Sequence, residues 1–212
     1  MIRRHFTASL LAAPAIIAQV IDKRDQDYWN SKFNDPKTQF QREPSHLLVD
    51  AIRGRKPGRA IDLGMGEGRN AIYLAQQGWQ VTGVDLADAG VAIARKRASM
   101  LHVELNAVVD DLDHYDLGKD QWDLIAMFYV HAWYHGSKPH SVDRVKSALK
   151  PGGLLVIEGF AGTEKYMFHP NELLADFTST FRIIRYDDVN AEAEWAPGHT
   201  SHVIRMVAEK LK

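Results

Sequence analysis

The chain has 212 residues, 45% of them apolar and 25% charged, with a formal net charge of −1. That length suits one globular domain with a full core. The near-neutral charge balance leaves no electrostatic footprint for a nucleic-acid partner, and the absence of cysteine excludes disulfides, thiol nucleophiles and thiolate metal sites.

Residues 1–27 read as an N-terminal segment ahead of the domain. Arg3-Arg4 precede an apolar run from Phe6 to about Ile21, interrupted by Thr7, Ser9, Pro14 and Gln19. A basic start and the small residues Ala13-Pro14-Ala15 resemble a secretory signal, and Arg3-Arg4-His5-Phe6 resembles part of a twin-arginine signal. A plain amphipathic helix packed on the domain fits the same residues. The run is too short and too broken for a stable membrane span. The domain itself is expected over 28–212. Its first part, 28–55, reads as a cap near the mouth of a sheet, with Tyr28-Trp29, Phe33, Pro44 and a helical stretch from Ser45 to Arg53.

After the cap, the period of the pattern alternates between strand and helix. Arg59–Leu63 is a short apolar run that ends in glycines, as a buried strand does. A helix from Asn70 to Gln77 stops at Gly78. Strand Gln80–Val84 follows, then helix Ala89–Met100 with Arg95, Lys96 and Arg97 mostly outward. Asn106–Asp110 and the very apolar Trp122–Phe128 are the third and fourth strands. Helix Ser141–Leu149 ends at the stop signal Lys150-Pro-Gly-Gly153. Leu154–Glu158 is a fifth strand, and Pro170–Phe177 a short helix with proline in its first turn. Phe181–Tyr186 and His202–Ala208 close the chain without a helix between them, so an antiparallel hairpin is predicted, with Trp195-Ala-Pro-Gly198 in a long connection. Strands separated by helices imply an α/β fold with parallel pairing and right-handed crossovers. Its ligand is expected beyond the carboxyl ends of the strands, where the strand order reverses.

The segment Ile61-Asp-Leu-Gly64-Met-Gly66-Glu-Gly68-Arg69-Asn70 carries the most chemical information. A strand runs into three alternating glycines and then a helix. Glycine permits the sharp turn and lets the backbone approach a ligand, and the helix start adds free N–H groups. Asp85, at the end of the second strand, has the spacing of a carboxylate that grips ribose hydroxyls. A nicotinamide loop would space its glycines as G-x-G-x-x-G beneath a pyrophosphate. Here the glycines stand at 64, 66 and 68 with Asp62 ahead of them. A carboxylate at that place balances the ammonium of an amino-acid tail better than it tolerates a pyrophosphate.

On these residues the chain resembles the class I S-adenosylmethionine-dependent methyltransferases, in the form shared by the tellurite-resistance and thiopurine methyltransferase-like branch. Asp62 to Asn70 looks like their first motif and Val84-Asp85 like the second. Asp110-Asp111-Leu112 falls where the family places an acid towards the adenine, while Asp123-Leu-Ile125 and Leu149-Lys-Pro-Gly-Gly-Leu154 look like its later motifs. The resemblance implies a Rossmann-like, doubly wound sheet of seven strands with an antiparallel last strand. It also implies S-adenosyl-L-methionine as cosubstrate and S-adenosyl-L-homocysteine as product. On the matching positions it assigns cosubstrate contacts to Asp62, Gly64, Gly66, Gly68, Arg69, Asn70, Asp85, Leu86, Asp110, Asp111, Leu112 and Phe128. Trp29, with Tyr28 and Phe33, would close over the donor as a lid, an aromatic face being able to attract a sulfonium; core packing of an amphipathic helix explains the same residues. The cosubstrate suggests a cytoplasmic protein, with export or membrane tethering through residues 1–21 as the alternative.

Methyl transfer needs alignment and exclusion of water more than acid–base chemistry, because the donor is already activated. A thiol or a metalloid oxyanion needs little else, whereas an amine or hydroxyl acceptor gains from a base. The acceptor pocket is expected beyond the fourth and fifth strands, at Tyr129-Val-His131-Ala-Trp133-Tyr134-His135. His131 leads as base or orienting group, with Tyr129 beside it and Glu158 at the end of the fifth strand facing the same pocket. A hydrogen-bonded packing role for His131 and structural pairing for Glu158 fit equally. His169 and Glu172 are secondary candidates, since capping of a helix start explains both. Trp195 would line the pocket or pack on the surface. His131 and His135 have the i, i+4 spacing of metal ligands, but no third ligand is evident, so no metal is expected. Tyr134-x-x-x-Lys138 matches a short-chain dehydrogenase pair that requires a helix; Gly136 and Pro139 argue against one here. A small-molecule acceptor, no nucleic acid, and a monomer or homodimer are therefore expected. A nicotinamide-dependent oxidoreductase and a non-catalytic S-adenosylmethionine-binding module are the alternatives.

Overall fold

The computed structural model describes residues 23–38, 40–194, 198 and 200–212. The run 1–21 and Trp195, both singled out above, lie outside the described residues. Two helices lead: α1 (Lys23–Asn34) and α2 (His46–Ile52). Then β1 (Arg59–Leu63), α3 (Arg69–Gln76), β2 (Gln80–Asp85), α4 (Asp88–Met100), β3 (Asn106–Val109) and β4 (Trp122–Phe128) alternate. They are followed by α5 (His131–Gly136), α6 (His140–Ala148), β5 (Leu149–Phe160), α7 (Glu172–Phe177), β6 (Phe181–Glu192) and β7 (Thr200–Lys210).

One seven-stranded sheet has the order β3-β2-β1-β4-β5-β7-β6. Strands β1 to β5 pair in parallel, and β7 runs antiparallel to both β5 and β6. The alternation of side chains along the strands builds two layers. Ile61, Leu63, Ile125, Met127, Leu155 and Ile157 point to one face, where Val142, Val145 and Phe177 of α6 and α7 cover them. Ala60, Leu124, Ala126, Leu154 and Val156 point to the other, against Leu48 of α2, Leu74 of α3 and Ala94 of α4. Each fully buried aliphatic side chain removes from water an area worth roughly 1.5–3 kcal/mol. The strand order reverses between β1 and β4, which opens a crevice at their carboxyl ends.

The structure departs from the sequence reading in five places. Helix α1 begins at Lys23 and runs across the expected domain boundary at 27/28. Strand β5 starts at Leu149, so Lys150-Pro-Gly-Gly153 ends the helix yet lies within the strand; the extra residues are taken up by a register shift between Trp122 and Leu124 of β4. The closing hairpin is longer and its connection shorter than expected, with Glu192 paired to Thr200. The outward half of β6 is a solvated edge (Asp187, Asp188, Asn190) and has no apolar alternation to mark it as strand. Helix α5 does form over His131–Gly136 despite Gly136. Finally, Arg95 and Arg97 do not simply face solvent. Arg95 donates to the Ala107 carbonyl at 2.6 Å, and Arg97 to the carbonyls of Glu67 (3.0 Å) and Arg42 (3.2 Å). The guanidinium forks satisfy a carbonyl of the edge strand β3 and two loop carbonyls.

Candidate active site

The loop after β1 is held by backbone geometry. The N–H groups of Gly64 and Met65 both donate to the Val84 carbonyl, at 2.8 and 3.1 Å, folding the loop back onto β2. Gly64 has φ +72° and a Cβ there would lie 2.2 Å from Val130 Cγ1, so only glycine lets this loop meet the one after β4. Gly68 has φ +77° and lies against Ala94 of α4 (3.0 Å for an added Cβ). It packs two helices together and does not line the cavity described below.

Asp85 fastens this loop to its neighbour. Its Oδ2 accepts the Gly66 N–H at 2.8 Å and its Oδ1 the Ala87 N–H at 2.8 Å, at the start of α4. Burial pushes the Asp85 carboxyl up, while the Ala87 and Gly66 amides pull it back. Asp62 is 2% exposed. Burial raises its pKa to about 7, against the opposing pull of Arg69 and of the Ala71 amide. Arg69 donates through Nη1 to the carbonyls of Glu43 (3.3 Å) and Glu194 (3.2 Å), and its Nη2 is buried with no hydrogen-bond partner. Buried Asn70 accepts the Ser45 N–H at 2.9 Å and so fixes the start of α2.

Helix α1 covers the mouth. Gln26 donates to the Leu86 carbonyl at 3.0 Å, and Asn30 accepts the Ala89 N–H at 3.0 Å while donating to Asp88. α4 has no side-chain cap of its own at Ala87, so α1 supplies one from across the fold. Phe33 sits between two glycines: a Cβ at Gly66 would lie 3.2 Å and one at Gly90 3.0 Å from its ring. Trp29, Phe33 and Phe40 follow in sequence with ring centroids 6.3 and 4.9 Å apart.

These parts enclose a cavity of about 670 Å³. It brings together Trp29, Asp62, Gly64, Gly66, Arg69, Asn70, Asp85, Leu86, Asp111, Leu112 and Phe128 at one end, and Tyr129 and His131 at the other. Three expected site residues lie elsewhere. Gly68 is the packing residue already described. Asp110 turns back on the backbone, its carboxylate accepting the Asp111 N–H at 2.8 Å. Glu158 is fully buried between Tyr129, whose hydroxyl it accepts, and Arg205, whose Nε donates to it at 3.0 Å. A carboxylate committed to two partners inside the sheet is not a base facing the pocket.

Tyr129 follows β4 with φ +61°, a conformation that bulky residues adopt only when their surroundings enforce it. Here the surroundings are the Tyr129 N–H to Glu158 O bond (2.8 Å), the hydroxyl to Glu158, and the Phe160 ring at 5.1 Å. His131 opens α5 and packs on Phe160 (5.7 Å) and Phe168 (6.2 Å). Its Nδ1 is buried without a partner, beside Gly159. Burial, aided by His135, lowers the His131 pKa to about 4, so the ring is neutral at pH 7. Trp133 lines the cavity, but Tyr134 and His135 do not. Tyr134 is fully buried and donates to Asp176. Lys138, expected to match Tyr134 only by chance, joins the same group with Nζ 2.6 Å from Asp176. His135 faces Glu172 (3.5 Å) and His169 on that side. Among the described residues, no group of three His, Asp or Glu is arranged to hold a metal.

Several lining residues had no signal in the sequence: Asp25, Phe40, Asp113, Ser137 and Tyr166. Asp113 accepts the Trp133 indole N–H at 2.8 Å and the Ser137 hydroxyl, joining the loop after β3 to α5. Phe160 ends β5, and the rule that ligands sit beyond strand ends would have found it.

Residues 60–153 match the family model described as a methyltransferase domain. Over that stretch the chain is similar to S-adenosylmethionine-dependent methyltransferases. The chain is 31% identical over 123 residues to the ribosomal RNA small subunit methyltransferase C of Alcanivorax borkumensis, covering 53% of this chain and 36% of that one. It is 21% identical over 174 residues to a probable S-adenosyl-L-methionine-dependent methyltransferase, TehB, of Haemophilus influenzae, covering 78% and 58% of the two chains. The crystal structure of that species' TehB superposes with a TM-score of 0.69 at 20% identity, over 87% of this chain and 66% of the other. The N-methyltransferase NodS from Bradyrhizobium japonicum, in complex with S-adenosyl-L-homocysteine, superposes with a TM-score of 0.72 at 12% identity, over 88% and 98%. The fold is thus the Rossmann-like methyltransferase fold. The chain spans only 36%, 49% and 58% of the length of three curated relatives that it matches. Among its described residues no helix is long and apolar enough to cross a membrane.

Proposed function

We propose that this chain transfers the methyl group of S-adenosylmethionine to a small molecule held at the aromatic end of the cavity. The observation that carries this reading is the pair of buried carboxylates, Asp62 and Asp85, flanking a glycine loop at the switch point of the sheet. The residues present fit the cosubstrate. A cavity of about 670 Å³ is ample for a nucleoside with an amino-acid tail. A buried carboxyl held near pKa 7 is poised to ionise against an ammonium, and the unpartnered Arg69 Nη2 awaits an acceptor such as a carboxylate.

When bound, the cosubstrate supplies an activated sulfonium methyl. The chain's own residues do the rest. Asp62 balances the ammonium, and Asp85 accepts ribose hydroxyls while keeping Gly66 in place. Leu86, Leu112 and Phe128 provide apolar contact for the adenine, with Asp111 at its edge. Trp29, Phe33 and Phe40 exclude water and face the sulfonium. Tyr129 and His131 orient the acceptor for in-line attack. Calorimetric titration with S-adenosylhomocysteine, with NADH as control, tests the reading. Binding of the former alone is expected; binding of NADH alone overturns it.

A further inference from the structure

The acceptor end carries an inference about substrate class, and it rests on the methyl-transfer reading above. Among the described residues, six carboxyl side chains line the cavity (Asp25, Asp62, Glu67, Asp85, Asp111 and Asp113) against one guanidinium, that of Arg69. Arg69 stands at the glycine-loop end, tied to the carbonyls of Glu43 and Glu194. The acceptor end has walls of Tyr129, Trp133, Phe160 and Tyr166, and the carboxylate that reaches them is Asp113, through Trp133 and Ser137. Among the described residues that line this end no side chain is cationic, Lys165 standing over Tyr166 without lining the cavity, so an anionic acceptor would enter a field of its own sign with only the donor's sulfonium to oppose it.

Nor is any group poised as a strong base. To take a proton at Nε2, His131 would have to bury an unpaired Nδ1–H beside Gly159, which costs the full desolvation of that donor. The favoured neutral tautomer keeps its proton on Nε2 and donates into the cavity. Glu158 is committed to Tyr129 and Arg205. The acceptor must therefore arrive with a lone pair that carries no proton at neutral pH, and without negative charge.

We infer that the acceptor is a weakly basic aromatic nitrogen compound, an arylamine or N-heteroarene. Its flat body stacks among the four rings. The nitrogen lone pair forms the new N–CH₃ bond as the S–CH₃ bond breaks, and the electrons of that bond stay on sulfur. Positive charge passes from sulfur to nitrogen, so a cavity lined by carboxylates and aromatic faces holds one cation before and after the step. Where the product bears an acidic N–H, that proton leaves to water.

The test uses the full chain with S-adenosylmethionine and a panel of anilines, aminoquinolines and imidazoles. Set against them are an aromatic carboxylate of matching shape and selenite. Mass spectrometry reads the methylated product, and S-adenosylhomocysteine calorimetry runs in parallel. The expected result is methylation of a panel nitrogen with kcat/KM at least about tenfold above both anions, the order of a like-charge penalty. The pH profile should fall below the acceptor's own pKa and move when that pKa is changed. Transfer only to the carboxylate or selenite, or to no nitrogen of the panel while S-adenosylhomocysteine binds, overturns the acceptor class and leaves methyl transfer standing. Failure to bind S-adenosylhomocysteine overturns both.

Discussion

The two ends of the cavity are built differently. At the donor end, Gly64, Gly66, Asp62 and Asp85 lie within 24 residues of one another, and backbone hydrogen bonds set their geometry. At the acceptor end, Tyr129 follows β4 while Glu158 and Arg205 lie on β5 and β7, and side chain to side chain bonds set their geometry. A site made of backbone can be written in one short stretch of sequence. A site made of side chains converging across a sheet cannot, and each member depends on partners far along the chain. The difference teaches where a substitution should injure ligand binding and where it should injure the fold.

The largest expected effect is on the fold. Arg205→Ala leaves the fully buried Glu158 without its cation and should destabilise the protein by about 3–5 kcal/mol in urea unfolding. An unchanged midpoint would show that the acceptor end does not depend on this pair.

Asp85→Ala removes a charged acceptor from two backbone donors and from the proposed ribose site. S-adenosylhomocysteine affinity should fall by roughly 1.5–3 kcal/mol in calorimetry, about ten- to a hundredfold. Unaltered affinity would break the equation of donor end with ribose site.

Asp62 sharpens the same end through pH. Its folded pKa, raised by burial to about 7, exceeds the ordinary carboxylate value of 3.8. Between these values the folded protein binds more protons than the unfolded chain, so the stability of the ligand-free protein falls as pH rises from about 4 to 7. A ligand ammonium favours the ionised form, so donor affinity should rise with pH by up to about tenfold per unit until about 7, and then level off. In Asp62→Asn both slopes should vanish in calorimetry and thermal melts.

The smallest effect is reserved for His131→Ala. Turnover should drop by roughly three- to tenfold, the worth of one orienting hydrogen bond, while S-adenosylhomocysteine affinity stays the same. Loss of the fold instead would make His131 a packing residue against Phe160 and Phe168.

Much of the glycine-loop end of the cavity was legible in the sequence. The Asp62–Asn70 loop and Asp85 announce themselves because glycine and carboxylate types are demanded by local backbone geometry. Gly68 and Asp110 belong to the same motifs, yet their places are taken by packing against Ala94 and by the Asp111 amide. Glu158 has the right strand end for a pocket carboxylate. Its fate depends on Arg205, 47 residues later, which no local pattern connects to it. Tyr134 and Lys138 do meet, but on the far side of α5 around Asp176.

The sequence by itself determined the alternation of strand and helix, the parallel sheet, and the glycine-and-acid loop after β1. Each of these follows from periodicity or from the conformational demands of single residues, which act over a few positions. Only the tertiary structure decided that α1 reaches across to cap α4 and wedges Phe33 between Gly66 and Gly90. It alone decided that the far end of the cavity is aromatic, with the Asp113 carboxylate hydrogen-bonded to Trp133 in its wall. Those outcomes rest on side-chain volume, burial and hydrogen-bond partnership between distant segments, and these acquire values only once the sheet has brought the segments together.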